Sequence, residues 1–307
     1  MPGATPVRTL NGVNPHQFQQ REFQQRPTAA PRTASRFFGL YVLIVMAAVV
    51  AATAPVLFGA DATYLGVVTP LFMWVPAATV LLLHLVLRPR GPDGERLPLF
   101  RTAALPLRPV RPVVFGALVI TAGLCLLPVV TILAGGAIGV IDVGATPEAT
   151  ALIPLIVPTV IVLMVSTLGE ESAWRGYLTT LLGPRGFWGT TLLIGGLWAL
   201  WHLPLTGAYW IAGDMAGREV LTTTVNLLLA AVALSALRFM TGSVWPAVLG
   251  HALHNALLQF AYSNFMTPTR ELSDAAYWTF TAVAWTMWIV LDAVLVLLAH
   301  RRPNSRV

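Results

Sequence analysis

The sequence predicts an all-α fold, a polytopic membrane helix bundle of about eight transmembrane helices. Three observations predict it. Of 307 residues, 56% are hydrophobic and only 10% are charged, where a soluble domain carries about 25% charged residues; mean hydropathy is +0.72. Apolar runs recur that can hold about 20 helical residues, the length that crosses a hydrocarbon core. Arginine falls in alternate connections between those runs, the bias that separates cytoplasmic loops from the rest.

Taken in order, residues 1–36 are polar, rich in Gln, Pro and Arg, and predict a disordered cytoplasmic tail. The expected spans are 37–59, a retained anchor and not a cleaved signal, then 63–87, 113–140, 151–182, 187–206, 220–240, 243–264 and 275–299, with a cytoplasmic tail at 300–307. This divides the chain into N-terminal transmembrane helices (37–140), a core at 150–265 and a last helix. Arg8, Arg21, Arg26, Arg32 and Arg36, the six arginines of the 88–112 loop, Arg185, Arg238, Arg301, Arg302 and Arg306 share one side. The opposite loops hold Asp61, Asp142, Glu148, Asp214, Glu219, Glu271 and Asp274, offset by Arg218 and Arg270. Both termini are thus expected in the cytoplasm of a plasma-membrane protein. The formal charge of +6 is dispersed among loops and forms no basic face for nucleic acid. The single cysteine, Cys125, excludes an internal disulfide, and its apolar neighbours suggest a packing residue.

The costly feature is Glu170-Glu171-Ser172-Ala173-Trp174-Arg175 at the end of an apolar run. An ionised group at the bilayer centre costs roughly 2.5–3.5 kcal/mol on insertion scales, so such groups persist where they are paired or used. The 151–182 run would measure about 48 Å as a helix, so either it tilts steeply or its C-terminal half projects into the cytoplasm. In the second case the carboxylates fall within the membrane's cytoplasmic half and Arg175 nearer the surface. Gly183-Pro184-Arg185-Gly186 reverses the chain and brings His202 to about the depth of Glu170. Thr241-Gly242-Ser243 does the same for His251 and Asn255. Glu171 and Arg175, at i,i+4, suit an internal ion pair; Glu170, about 100° around the helix, points elsewhere. His251 and Asn255 present polar tips to one place, His254 could line its edge, and Trp198 could wall His202. A Glu and a His on one water form a general-base pair, and a His with an Asn amide supplies donors for an oxyanion.

Glu-Glu-x-x-x-Arg at 170–175, an aromatic four residues before His202, and His-x-x-x-Asn at 251–255 resemble the signature of the CAAX-prenyl-protease and bacteriocin-processing (CPBP) family of intramembrane glutamic endopeptidases. The resemblance covers residues 150–265. It implies that Glu170 and His202 activate water, that His251 and Asn255 stabilise the tetrahedral intermediate, and that Glu171 and Arg175 support them. It also implies a membrane-anchored peptide or protein substrate, cleaved near its C-terminus and prenylated in the best-known relatives. Trp198 departs from the pattern, where Phe is more usual.

Blander readings stand beside these. His202 precedes Leu203-Pro204 and could sit at a helix end; His251 and Asn255 could be a helix–helix hydrogen bond. His84 and His300 read as interfacial, Asn226 as an interhelical hydrogen bond, and Asp292 as interfacial or paired with an unidentified Arg. No cofactor is required, although Glu170, His202 and His251 could hold zinc with an open water position. A non-catalytic immunity or scaffold protein is the alternative from another class. A transporter, which would carry flux through liposomes, ranks below it. Membrane lipids are partners on every reading.

Overall fold

The computed structural model describes residues 31–91 and 94–301. Its elements are α1 (Pro31–Leu57), α2 (Thr63–Phe72), α3 (Val75–Leu87), α4 (Val110–Ala137), α5 (Ile156–Glu171), α6 (Gly186–Ala212), α7 (Gly217–Thr241), α8 (Trp245–Leu253) and α9 (Asp274–Arg301). Among the described residues there is no strand beyond two isolated bridges. That is the expected outcome where lipid offers no partner for a free backbone amide. Helix α1 begins at Pro31, so the last residues assigned to a tail are helical; residues 1–30 and 302–307 lie outside the described residues.

Five helical segments are long and apolar enough to cross a membrane, or six with the bent pair α2 and α3. The expected count of eight is not confirmed. Two features explain the difference. Residues Ala149–Ala212 run as one helical stretch of 64 residues, but Gly186 adopts φ +73 within it. The Trp198 indole meets Glu170 across 28 positions, about 42 Å apart on a straight helix, so the stretch folds back on itself. After α8, the chain stays helical through a π-turn, His254–Leu258, and a short helix, Gln259–Asn264, but His251, His254, Asn255 and Gln259 make this stretch too polar to count among the apolar spans.

A second π-helical turn, Ser172–Leu178, extends α5 and leads through Thr179–Leu182 to the reversal. Such turns are rare and concentrate at functional sites; both of these overlap the polar motifs. Arg238, grouped by sequence with the arginines of one side, is turned inward and 1% exposed. Its Nε donates to the Arg175 carbonyl at 2.9 Å and its Nη2 to Thr180 Oγ1 at 3.0 Å. A buried guanidinium thus serves the backbone that the π-turn displaces.

Residues 103–106 form a strap between α5 and α8. The Val244 amide donates to the Ala104 carbonyl at 3.0 Å, the Trp245 indole to Leu105 at 2.7 Å, and Ser243 Oγ to Pro106 at 3.3 Å. On its other side the strap presses on Gly176, where a Cβ would lie 2.4 Å from the Ala103 oxygen. Gly169 meets the Met73 carbonyl as closely, at 2.6 Å from an added Cβ. These two glycines flank the acidic motif and allow backbone-to-backbone contact at both of its ends. Gly176→Ala is therefore expected to destabilise the bundle by about 1–3 kcal/mol through overpacking. Gly196→Ala, which meets nothing within 4 Å, should leave the detergent-solubilised melting curve unchanged.

Between α5 and the Arg-rich helix ends lies an aromatic layer. Phe37 stacks on Tyr177 at 5.0 Å, and Tyr41 meets Trp174 edge-on at 5.2 Å. His84, expected at the interface, hydrogen bonds the Tyr177 hydroxyl at 3.0 Å. Asn226 accepts from the Trp285 indole at 2.9 Å, joining α7 to α9 as expected. Two expectations fail. Cys125 is exposed, not a packing residue. Asp292 is buried, with no hydrogen-bond partner for its Oδ1 and no ion pair to an Arg among the described residues.

Candidate active site

Three polar groups come from one helix. Glu170 and Glu171 end α5, and Arg175 follows within the π-turn; all three are at most 1% exposed. Arg175, read from helix length as lying nearer the membrane surface than the carboxylates, is fully enclosed by protein. Its burial is compensated by Glu171, whose Oε1 accepts from Nη1 at 2.9 Å, and by the Trp198 ring, whose centroid is 4.3 Å from the guanidinium, an arrangement attractive to a cation. The same Glu171 oxygen is 3.0 Å from His251 Nδ1. A carboxylate accepts, so Nδ1 carries the hydrogen and Nε2 faces away from Glu171. Glu171 thus ties α5 to α8.

Glu170 takes a different direction, as its helical offset predicts. Its Oε2 accepts from the Trp198 indole at 2.7 Å. Trp198 is fully buried and central: its ring is edge-on to His202 at 5.4 Å and to His251 at 5.3 Å. The sequence suggests a wall; the structure adds a hydrogen-bond donor. A Phe at this position would keep the wall and lose the bond.

His202 is not at a helix end, because α6 continues through Pro204 to Ala212. Its Nδ1 donates to the Trp198 carbonyl at 2.8 Å, which leaves Nε2 as the acceptor in the neutral ring. On the far side of the site, His251 and Asn255 reach the same cavity, as their i,i+4 spacing predicts. Asn255 Oδ1 accepts from His254 Nδ1 at 3.1 Å, so its Nδ2 hydrogens remain available. His254, which the sequence places only at a cavity edge, orients this amide and packs edge-on to Trp288 at 5.5 Å. The signal for it is present in the His-x-x-His-Asn spacing, but regular helical geometry gives it no role.

One cavity of about 270 Å³ is lined by Glu170, His202, His251, His254 and Asn255, together with Trp201 and apolar side chains from α1, α2, α6 and α7. Glu171 and Arg175 do not line it; they stand behind His251. Four sequence-predicted groups from three separate stretches thus share one space. Among the described residues, no three His, Cys, Asp or Glu side chains are grouped to hold a metal ion. For the set Glu170, His202 and His251, one Glu170 oxygen and one nitrogen on each imidazole are already engaged by the protein.

Residues 152–257 match the family model of the type II CAAX prenyl endopeptidases, Rce1-like. This agrees with the resemblance read from the motifs. The Rce1-like segment starts just before α5 and ends within the second π-turn, so it contains every ionisable residue of the cavity and Asn255. Helices α1 and α2, which supply much of the apolar wall, lie outside the Rce1-like match. No curated protein matches the chain.

Proposed function

We propose that the chain is an intramembrane endopeptidase that hydrolyses a peptide bond near the C-terminus of a membrane-associated substrate. The prenylated CAAX type is the one named by the family description. The observation that carries this reading is the convergence of Glu170, His202, His251 and Asn255 on one cavity inside an apolar bundle.

The proposed chemistry uses each group as the geometry leaves it. A water hydrogen bonded to the free Glu170 oxygen and to His202 Nε2 gives its proton to Glu170 as its oxygen attacks the carbonyl carbon. The oxyanion takes a donor from Asn255 Nδ2. His251 supplies a second through Nε2 when its ring carries both protons, with Glu171 accepting from Nδ1. Each such donor contributes about 2.7–4 kcal/mol in hydrolases where this has been measured. Glu170 then returns the proton to the departing amine as the C–N bond breaks. Water has added across the bond, and no covalent intermediate forms.

Comparing peptide termini in membranes carrying the wild type or His202→Ala tests this. New termini should depend on the wild-type protein. Equal peptide patterns, with a cellular phenotype that survives both His202→Ala and Glu170→Ala at normal membrane abundance, would favour the scaffold alternative. The proposed hydrolysis needs no metal, so 1,10-phenanthroline should leave the rate unchanged and purified protein should hold well under one zinc per chain. Loss of activity restored by zinc would reject that part.

Trp198 supplies a further expectation. A hydrogen bond to a charged group contributes about 1.5–3 kcal/mol, and here it holds one Glu170 oxygen still while the other faces the cavity. Trp198→Phe should lower kcat by about tenfold or more with little change in KM, together with a lower melting temperature from the lost buried hydrogen bond. An equal rise in KM would point to substrate contact instead.

A further inference from the structure

From the polar groups the cavity extends toward one end of the bundle. On the side of the Arg-rich helix ends, residues 173–183 are buried without a break, and none of them lines the cavity. Trp174, Tyr177, Tyr41 and Phe37 close that side, each fully buried and packed ring against ring. Beyond Phe72, Met73 and Trp201 near mid-span, the wall continues toward the other helix ends: Val49 and Thr53 in the last turns of α1, Leu65 and Thr69 in the first turns of α2, Leu205 in α6 and Thr223 in α7. Thr53 is about 6 Å of helix rise from the end of α1, and Thr223 about 9 Å from the start of α7. These ends join the connections that carry Asp61 and Asp214, the ones poor in arginine.

The wall is also chemically one-sided. Thr53 and Thr69 give their hydroxyl hydrogens to carbonyls of their own helices, Val49 at 2.9 Å and Leu65 at 2.6 Å. Below the polar groups the wall therefore offers mainly methyl, aliphatic and aromatic surface. The volume falls just under the roughly 300–1,000 Å³ typical of ligand pockets. It suits a short extended segment with apolar side chains.

We infer that the cavity is served from the membrane half opposite the arginine-rich loops. Its substrate is a lipid-anchored or membrane-spanning peptide whose scissile segment, flanked by apolar residues, lies on that far face. By the positive-inside bias this is the non-cytoplasmic face, so the substrate class is an exported peptide. The inference rests on the proteolytic reading above for its substrate, but its geometry can be tested without any hydrolysis.

Cys125→Ser removes the only thiol. In that background, Thr69→Cys reports on the cavity wall, and Leu107→Cys, in the arginine-rich loop and 57% exposed, reports the reference side. A membrane-impermeant sulfonated maleimide is applied to right-side-out and inverted vesicles, with detergent-denatured samples showing that each thiol is present. Thr69→Cys is expected to react at least tenfold faster in the orientation in which Leu107→Cys is protected. Reaction in the same orientation as Leu107→Cys, or in neither, overturns the inference. Reporter peptides anchored by one transmembrane helix, with an apolar segment on one face or the other, form the second arm. Cleavage of the far-face reporter alone supports the inference, and cleavage of a reporter on the Arg-rich face overturns it. Cleavage of neither counts against the proteolytic reading, while the thiol labelling still decides the side of access.

Discussion

Glu170→Gln is expected to lower turnover by about 10²–10⁴-fold, the range that a positioned general base contributes, without unfolding the protein. Glutamine keeps an oxygen that can accept the Trp198 indole hydrogen, now found at 2.7 Å from Glu170 Oε2. The hydrogen bond that orients the side chain therefore survives, and only the proton-accepting charge is lost. Initial rates in lipid, alongside melting curves in the same detergent, check both halves of the expectation. A variant within a few-fold of wild-type activity would remove Glu170 from the proposed role. The same variant should hold substrate uncleaved, which makes it the natural trap for identifying co-purified peptides by mass spectrometry.

Arg175→Met should cost about 3–5 kcal/mol of stability, the usual penalty for breaking a buried ion pair from one side. Both partners are 0% exposed, and Glu171 Oε2 has no hydrogen-bond partner among the described residues. Removing the guanidinium leaves that carboxylate with only His251 beside it. It also takes away the cation that sits 4.3 Å over Trp198, so the effect should spread to the side chain that holds Glu170. The double variant Glu171→Gln with Arg175→Met removes both charges and should recover most of the stability, because replacing a whole buried pair is often close to neutral. Thermal unfolding of the two variants distinguishes a structural pair from a solvated one. Equal, small losses in both would mean that water reaches the pair.

Much of this architecture is legible in residue order, for identifiable reasons. The membrane class and the helical fold follow from hydropathy and from the need to satisfy backbone amides in lipid. The Glu171–Arg175 pair and the divergence of Glu170 follow from helical spacing, because the π-turn starts only after Glu171. The shared direction of His251 and Asn255 also follows from spacing, and both line the cavity; the hydrogen bond that joins Asn255 to its chain neighbour His254 does not. Pro204 suggests a helix end, yet its cost to a helix is local and α6 packs through it. Arg238 groups with the surface arginines by composition, which cannot tell a loop cation from one turned inward to displaced carbonyls.

Residue order therefore sets the solvent in which this chain folds, the helical character of its segments and the polar residue types that lipid would not tolerate without a use. It does not set which of those polar groups meet. That Trp198 binds Glu170, that His254 orients Asn255 and that the cavity lies away from the arginine-rich ends are properties of the packed bundle. Hydropathy and periodicity act along one helix. A hydrogen bond between α5 and α6, or an aromatic layer that closes one end of a cavity, depends on which helices are neighbours and how they are rotated.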